Sequence, residues 1–346
     1  MLLKIKKRID RELRGYLRWA DRFYGLRRIS PLLYESIREF ACRDGKRLRP
    51  ALFILSYLGY AKRAAYGLFR SAISLELLHD FLLAHDDIID KSPLRRGKPS
   101  LHCLLDKKTR ATAGIKFSGA DLAIVAADVM YAMSMRAFLA IQEKPSRKEA
   151  ALKKFIDAAL YTGSGEFIEL VYGMKSIKQL SRAQIFRVYD LKTARYTFAS
   201  PLCIGAALAG AGKTQERLLF QYGIWLGRAF QIKDDILGIF GREKQTGKSA
   251  LTDLREGKKT ILIWQAWRRS GKKQKREITA LLRKKSTGGA QLLRIRAIVE
   301  ESGALRQAKR EVAKCLSAAK AILPQLRMNP LYKTALAEFA KETLRV

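Results

Sequence analysis

The sequence predicts an all-α protein, and three observations carry the prediction. Its apolar residues recur at helical spacing, as in Leu75, Leu78 and Leu82. Only 8 prolines interrupt 346 residues, so strands are expected to be scarce. With 48% hydrophobic and 29% charged residues, the chain has apolar material for one large core or two modest ones.

Taken in order, the opening MLLKIKKRIDRELRGYLRWADRF reads as an amphipathic helix dense in charge, without the uninterrupted apolar core of a signal peptide. Pro31 opens a second helical segment that closes in ACRDGKRLRP, residues 41–50. Asp44 and Gly45 make that turn, Lys46, Arg47 and Arg49 cluster on it, and Pro50 can start the next helix. A basic turn at a helix start suits phosphate, although a solvated basic loop has the same composition. From Ala51, ALFILSYLGYA reads as a buried helix.

The stretch that organises the chain is LELLHDFLLAHDDIIDKSPLRRGKPSLH, Leu75 to His102, on a helix expected to begin near Phe69. It holds His79, His85 and His102, which are the 3 histidines of the chain, together with Asp86, Asp87, Asp90, Arg95 and Arg96. Asp86 and Asp90 fall one turn apart on one helix face, where like charges repel and, at a C-terminal end, oppose the helix dipole. Folding alone gives little reason for them, and a hard divalent cation would offset both costs. Pro93 and Gly97 break the helix and bring the two arginines, which suit diphosphate oxygens, close to the carboxylates.

Gly119 to Met135 is apolar almost all round and is expected at the centre, with Asp128 as a capped core acid or as support for the site. Helix resumes from about Arg147 to Tyr172, and there Glu166 and Glu169 are either hydrogen-bonding groups near the site or a solvated face. In residues 189–212, Lys192 and Thr193 interrupt an otherwise helical run, a break that can turn backbone polar groups toward a cavity. Small residues after Pro201 would let two helices approach closely. In residues 227–260, Asp234 and Asp235 are expected to end an apolar helix with Gln231 on the face of Asp234, and Lys248 and Lys258 follow on glycine-bearing turns. If the two acid-bearing helices pack across a cavity, the acids form one site of opposed carboxylates. Ile261 to Val346 carries amphipathic helices and basic loops, read as scaffold and surface.

Several classes fall away. The longest apolar stretch, Phe198 to Gly212, contains Pro201 and stops short of the roughly 18 residues a bilayer span needs. Cys42, Cys103, Cys203 and Cys315 show no CxxC spacing, which favours reduced thiols in cytosol over disulfides or zinc. The net charge of +36 fits a basic cellular background as well as a polyanionic partner, and alone identifies no substrate.

The motif order GKRLRP, ELLH with HDDIID, RRGKPSLH, KTARYT, FQIKDDILG and EGKKT closely resembles the trans-isoprenyl diphosphate synthases, the polyprenyl synthetase family, over roughly residues 40–262. Phe81, GEF, KTARYT and DDILG look most like the archaeal-type geranylgeranyl or farnesyl diphosphate synthases. The resemblance implies an isoprenoid synthase-type helical bundle around a central cavity, with residues 1–346 as one domain that includes the helices of 263–346. It implies a cytoplasmic homodimer, condensation of isopentenyl diphosphate with an allylic diphosphate, and more than one Mg2+ on Asp86, Asp90 and Asp234. Arg95, Lys192, Lys248 and Lys258 match the positions that grip the allylic diphosphate, while Thr193 and Gln231 match those that stabilise the carbocation beside it. Lys46, Arg49, His79 and Arg96 match the isopentenyl diphosphate site. An aromatic such as Phe81, five residues before Asp86, goes with twenty-carbon products in this family, though every core helix contains such residues. Geranylgeranyl diphosphate is therefore the expected product, with farnesyl diphosphate, a longer chain, or a non-catalytic subunit of a heteromeric synthase as alternatives.

Two departures stand out against that family. Gly238 replaces the third acid of the second motif, and Ala127 stands where relatives often have glycine. A terpene cyclase needs only one diphosphate site, whereas GKRLRP and Arg96 supply a second. A di-iron protein would need a partner for Glu76-x-x-His79, and no second ExxH occurs. No specific nucleic-acid partner is expected, and a weak attraction to anionic membrane follows from the charge alone.

Overall fold

In the computed structural model, residues 1–109, 116–241, 257–283 and 288–344 are described. They are helical almost throughout and form two compact units, Met1–Leu152 with Ile204–Gly210, and Lys153–Cys203 with Ala211–Val346.

The first unit opens with α1 (Leu2–Tyr24), α2 (Leu26–Ile29), α3 (Pro31–Ala41) and α4 (Leu48–Tyr60). On α1 the apolar positions Ile9, Leu13 and Leu17 fall on one face and are fully buried, while lysines and arginines fill the other. Pro31 takes the first position of α3, where its missing N–H costs nothing, and Ser30 caps that helix by accepting from the Leu33 N–H at 3.2 Å. The run Leu52–Leu55 is buried all round, as its unbroken apolar sequence requires. The helix expected to begin near Phe69 is two helices, α5 (Leu68–Ala72) and α6 (Ser74–Ile89), separated at Ile73.

After α6 a short hairpin pairs β1 (Leu94–Arg95) with β2 (Lys98–Pro99), in the register Leu94 to Pro99 and Arg95 to Lys98. Its two turn residues, Arg96 (φ 55°) and Gly97 (φ 72°), both lie in the left-handed region that a two-residue hairpin turn demands. Then α7 (Leu101–Thr109) and α8 (Gly119–Phe138) complete the layer packed on α6. A Cβ at Gly119 would lie 2.2 Å from the His102 carbonyl oxygen, so glycine alone lets α8 start this close to α7. The expectation that α8 is buried all round fails. Ala123, Ala126, Ala127 and Met130 are buried against α6, but Leu122, Ile124 and Val125 are exposed, and Asp128 is an exposed surface acid rather than a core one.

The second unit takes most of α9 (Pro145–Met174), then α10 (Arg182–Val188), a π-helical segment at Tyr189–Ala199, and the start of α11 (Ser200–Ala209). There follow α12 (Lys213–Phe240), α13 (Ile261–Arg269), α14 (Lys272–Leu281), α15 (Gly289–Glu301), α16 (Ala304–Ile322) and α17 (Pro330–Thr343). The core of this unit is α12 packed between the π-helical segment and α16. Gly227 permits the first contact, because a Cβ there would sit 2.3 Å from the Ala194 Cα. The close approach expected after Pro201 is made by Gly205 in the first unit, where a Cβ would meet the Phe53 carbonyl oxygen at 2.3 Å. Among the described residues no helix is long and apolar enough to cross a membrane. All four cysteines are free thiols.

Candidate active site

In the first unit, the end of α6 carries the first acidic cluster. The helix stops at Asp90, whose N–H donates to the Asp86 carbonyl at 2.8 Å, and the next residue, Lys91, turns to φ 52°. Asp86 and Asp90 are half-buried, one turn apart, at the end where unpaired carbonyls already make the helix negative. Between them Asp87 is wholly buried. Arg95 compensates it, with Nε donating to both carboxylate oxygens at 2.9 and 3.1 Å and Nη2 closing a fork. The hairpin thus brings the first arginine to Asp87, while Asp86 and Asp90 also bear on its charge.

Around the basic turn, Arg47 is a strut. It is buried in left-handed backbone and donates to Asp10 at 2.8 Å, to Glu76 at 2.5 Å and to the carbonyls of Ala41 and Arg43. Lys46 is exposed and Arg49 half-buried. Arg96 lies over Gly45, with guanidinium atoms 3.1–3.3 Å from where a Cβ would be, and approaches Glu76 at 3.5 Å. Burial, with Arg49, Arg96, Arg95 and Arg47 adding to it, holds the His79 imidazole well below its ordinary value, so it is neutral near pH 7. Of the four residues expected at one diphosphate site, Arg49 and Arg96 both bear on His79 of α6, and Lys46 is exposed on the turn next to Gly45, over which Arg96 lies. The sequence reading passed over Asp80, which is fully buried with neither carboxylate oxygen hydrogen-bonded. Burial, reinforced by the charge of Glu76 and opposed by Arg96, Arg47 and Arg49, pushes its carboxyl up to about 8.

Phe81 is half-buried on α6 and packs at a tilt against Tyr131 of α8, with ring centroids 5.0 Å apart, and edge-on against His85 at 4.7 Å. Tyr131 escaped the sequence reading because its helical spacing is that of any core residue.

In the second unit, the interruption expected at Lys192 and Thr193 is the π-helical segment, whose wider turn displaces side chains from the regular ladder. Lys192 is gripped by Glu169 at 2.7 Å and, more closely, by Glu166, so this acid pair faces the lysine rather than solvent. The Thr193 hydroxyl donates to Gln231 Oε1 at 2.6 Å, and Gln231 Nε2 donates to Asp235 at 3.1 Å. Asp235 also accepts from the Tyr189 hydroxyl, whose oxygen in turn accepts the Ile261 N–H at 2.8 Å. Burial and the neighbouring carboxylate raise the Tyr189 phenol well above its ordinary value, so it remains a donor. Asp234 is exposed. These acids do not end their helix as expected, because α12 continues to Phe240, where Gly241 closes it onto the Leu237 carbonyl. Lys258 is half-buried, and Lys248 lies outside the described residues. Arg228, unforeseen, forks onto Asp190 at 2.7 and 2.6 Å and braces the start of the π-helical segment against α12. Among the described residues no three His, Cys, Asp or Glu side chains gather tightly enough to cage a metal ion by themselves.

Residues 30–299 match the family model described as polyprenyl synthetase. The chain belongs to the polyprenyl synthetase family. It is similar to the geranylgeranyl diphosphate synthase of Sulfolobus acidocaldarius, 32% identical over 278 residues that cover 78% of each chain. To the geranylfarnesyl diphosphate synthase of Aeropyrum pernix it is 33% identical over 287 residues, 82% of this chain and 84% of that one. A geranylgeranyl pyrophosphate synthase from Corynebacterium glutamicum, complexed with isoprenyl diphosphate and magnesium, superimposes with a TM-score of 0.89 at 24% identity, covering 100% and 99% of the two chains. That likeness establishes the isoprenoid synthase fold. As a member of this family the chain is a short-chain prenyltransferase. In the family's terms, the motifs read from the sequence fall on the end of α6, the loop before α4, the hairpin, the π-helical segment and α12.

Proposed function

We propose that the chain condenses isopentenyl diphosphate with an allylic diphosphate to give geranylgeranyl diphosphate. The observation that carries the product length is the pair of rings Phe81 and Tyr131, set back along α6 from Asp86. Helix side chains lean toward the N-terminus, so a chain whose diphosphate is held at Asp86 and whose tail runs back along α6 ends against those rings. The relatives named for twenty-carbon synthesis support this length.

Asp86, Asp90 and the exposed Asp234 offer hard carboxylate oxygens, a donor set that fits magnesium, which takes one or two carboxylates and fills its other positions with phosphate and water. More than one Mg2+ bound there would neutralise the negative charge that builds on the departing diphosphate. Arg95, Lys192, Lys248 and Lys258 grip that allylic diphosphate. The oxygens of Thr193 and Gln231, fixed to each other, offer lone pairs to the positive charge that grows as the C–O bond breaks. Lys46, Arg49 and Arg96 hold the isopentenyl diphosphate with charge, and neutral His79 with a hydrogen bond. The double bond then attacks the allylic carbon, and the released diphosphate accepts the proton, so no protein base is needed.

The whole chain acts as one synthase domain, in the cytoplasm, as a homodimer. The exposed Leu122, Ile124 and Val125 of α8 support pairing with a second copy, which the mass of the protein in solution would test. Weak attraction to anionic membrane follows from the net charge of +36, and vesicle binding that persists at high salt would contradict it.

The reaction is tested by sizing the products from labelled isopentenyl diphosphate, magnesium and each allylic primer. A twenty-carbon product that lengthens in Phe81→Ala and Tyr131→Ala is expected. A wild-type product of twenty-five carbons would sink the length assignment, and no product from any primer would sink the catalytic one.

A further inference from the structure

The first unit contains a cleft of about 340 Å³ that the prenyl-transfer residues do not use. Its lining includes Arg14 and Arg18 from α1, Arg38 from α3, Arg43 just after α3, and Lys98 from the hairpin, with Glu39 as the acid among them. Glu39 is already engaged, by Arg43 at 2.7 Å and by Lys98 at 3.8 Å, and Arg38 is engaged outside the cleft by Glu35. Arg14 and Arg18 make no hydrogen bond or ion pair among the described residues. They stand one helical turn apart, where like charges repel, so the folding of α1 gives no reason for the pair. By contrast Lys6, Asp10 and Glu12 on the same helix all have partners.

We infer that this cleft is a second anion site, built for a diphosphate group. Five cations against one acid call for a compact ligand carrying several negative charges, and a concave space of this size admits a small molecule rather than a polymer. Two planar guanidiniums free to fork suit phosphate oxygens better than a carboxylate-bearing peptide would use them. The cleft wall is also tied to the substrate-binding elements. Arg43 Nη1 donates to the Arg95 carbonyl at 3.4 Å, and the Arg43 carbonyl accepts from the strut Arg47 at 2.7 Å. A diphosphate that draws the Arg43 side chain into the cleft therefore loosens the hairpin that carries Arg95 and Arg96. Two sources share this chemistry, inorganic diphosphate released by the reaction and the diphosphate end of a prenyl product.

The test is calorimetric titration of inorganic diphosphate, and separately of a thiolodiphosphate analogue of geranylgeranyl diphosphate, into the full-length protein without magnesium. Wild type, Arg14→Gln/Arg18→Gln, Arg96→Ala and the remote charge control Lys272→Gln/Lys273→Gln are compared. One binding event is expected to survive in Arg96→Ala and in the control, and to weaken at least tenfold in the Arg14/Arg18 variant. That variant should keep the wild-type circular dichroism spectrum and the kcat of prenyl transfer, since neither arginine touches the proposed reaction. The tighter of the two ligands names the source. Loss of all binding in Arg96→Ala, equal weakening in the lysine control, or undiminished binding in the Arg14/Arg18 variant would each overturn the site.

Discussion

At the end of α6 the buried acid, Asp87, is clamped by the guanidinium of Arg95, whereas on α12 the buried acid, Asp235, is held by two neutral donors, Tyr189 and Gln231. Both places follow one plan. An acid that reaches solvent, the half-buried Asp86 or the exposed Asp234, stands beside a buried acid that fixes the local structure. The two buried acids differ in the donors that meet them. On α6 the donor is a cation, and the cluster sits where the helix dipole is negative. On α12 the acids lie inside the helix, away from its end, and Asp235 accepts hydrogen bonds from two neutral groups.

This contrast is broken most severely by Arg95→Ala. Removing the cation takes its guanidinium partner from a fully buried carboxylate, and breaking buried pairs of this kind costs about 3–5 kcal/mol. A drop in thermal midpoint larger than that of any variant discussed below is expected, with loss of prenyl transfer. Arg95→Ala/Asp87→Asn should recover most of the stability without the activity. If the double variant is no more stable than the single one, the clamp is not what Arg95 contributes to the fold.

Asp80 is a third case, a buried acid with no clamp at all, and pH reveals it. The folded state holds its proton to about pH 8, while an unfolded Asp releases it near 3.9. Between these values the unfolded chain binds fewer protons, so this contribution is whole below about pH 4 and declines as pH rises. It is gone above about pH 8. Asp80→Asn carries no such proton. Its stability relative to wild type should therefore climb between pH 5 and pH 8, by an amount on the order of a few kcal/mol. A difference that stays flat across that range would mean that Asp80 is ionised in the folded protein.

Much of this was legible in the sequence, and what was not has physical causes. The all-α class, the turn before α4, the break at Pro93 and Gly97 that returns Arg95 to the acids, and the interruption at Lys192 all follow from local rules of spacing, proline, glycine and charge. The burial of α8 did not follow, because Leu122, Ile124 and Val125 are as apolar as residues that pack. Periodicity reports which faces are apolar, not which are covered. Nor could the sequence assign Glu166 and Glu169, whose partner Lys192 lies more than twenty residues away and meets them only once α9 and the π-helical segment are folded. Arg47 looked like its neighbours Lys46 and Arg49, and only its partners Asp10 and Glu76 mark it as structural.

Tyr189→Phe tests the neutral clamp of α12. Deleting the hydroxyl removes one donor to Asp235 and one acceptor for the Ile261 N–H, both buried, and about 1–3 kcal/mol is expected to be lost. The loss should stay below that of Arg95→Ala in the same melt, because no charge is stranded when Gln231 still donates to Asp235. A Tyr189 variant that falls further than Arg95→Ala would reverse the ranking of charged over neutral clamps.

The smallest effect comes from making the two places more alike. Asp90 stands one turn after Asp86, and Gly238 occupies the equivalent position one turn after Asp234. Gly238→Asp adds a carboxylate there. Without metal it introduces a like-charge pair worth about 0.2–0.5 kcal/mol of destabilisation, partly offset because glycine is itself a poor helix former. With magnesium the added oxygen is a further donor, yet a metal that already draws on substrate phosphate and water gains little from one more carboxylate. The half-saturating magnesium concentration for prenyl transfer is therefore expected to fall less than threefold, with kcat nearly unchanged. A tenfold fall would show that α12 is short of a strong ligand, and that the unequal balance of the two clusters extends to their hold on the metal.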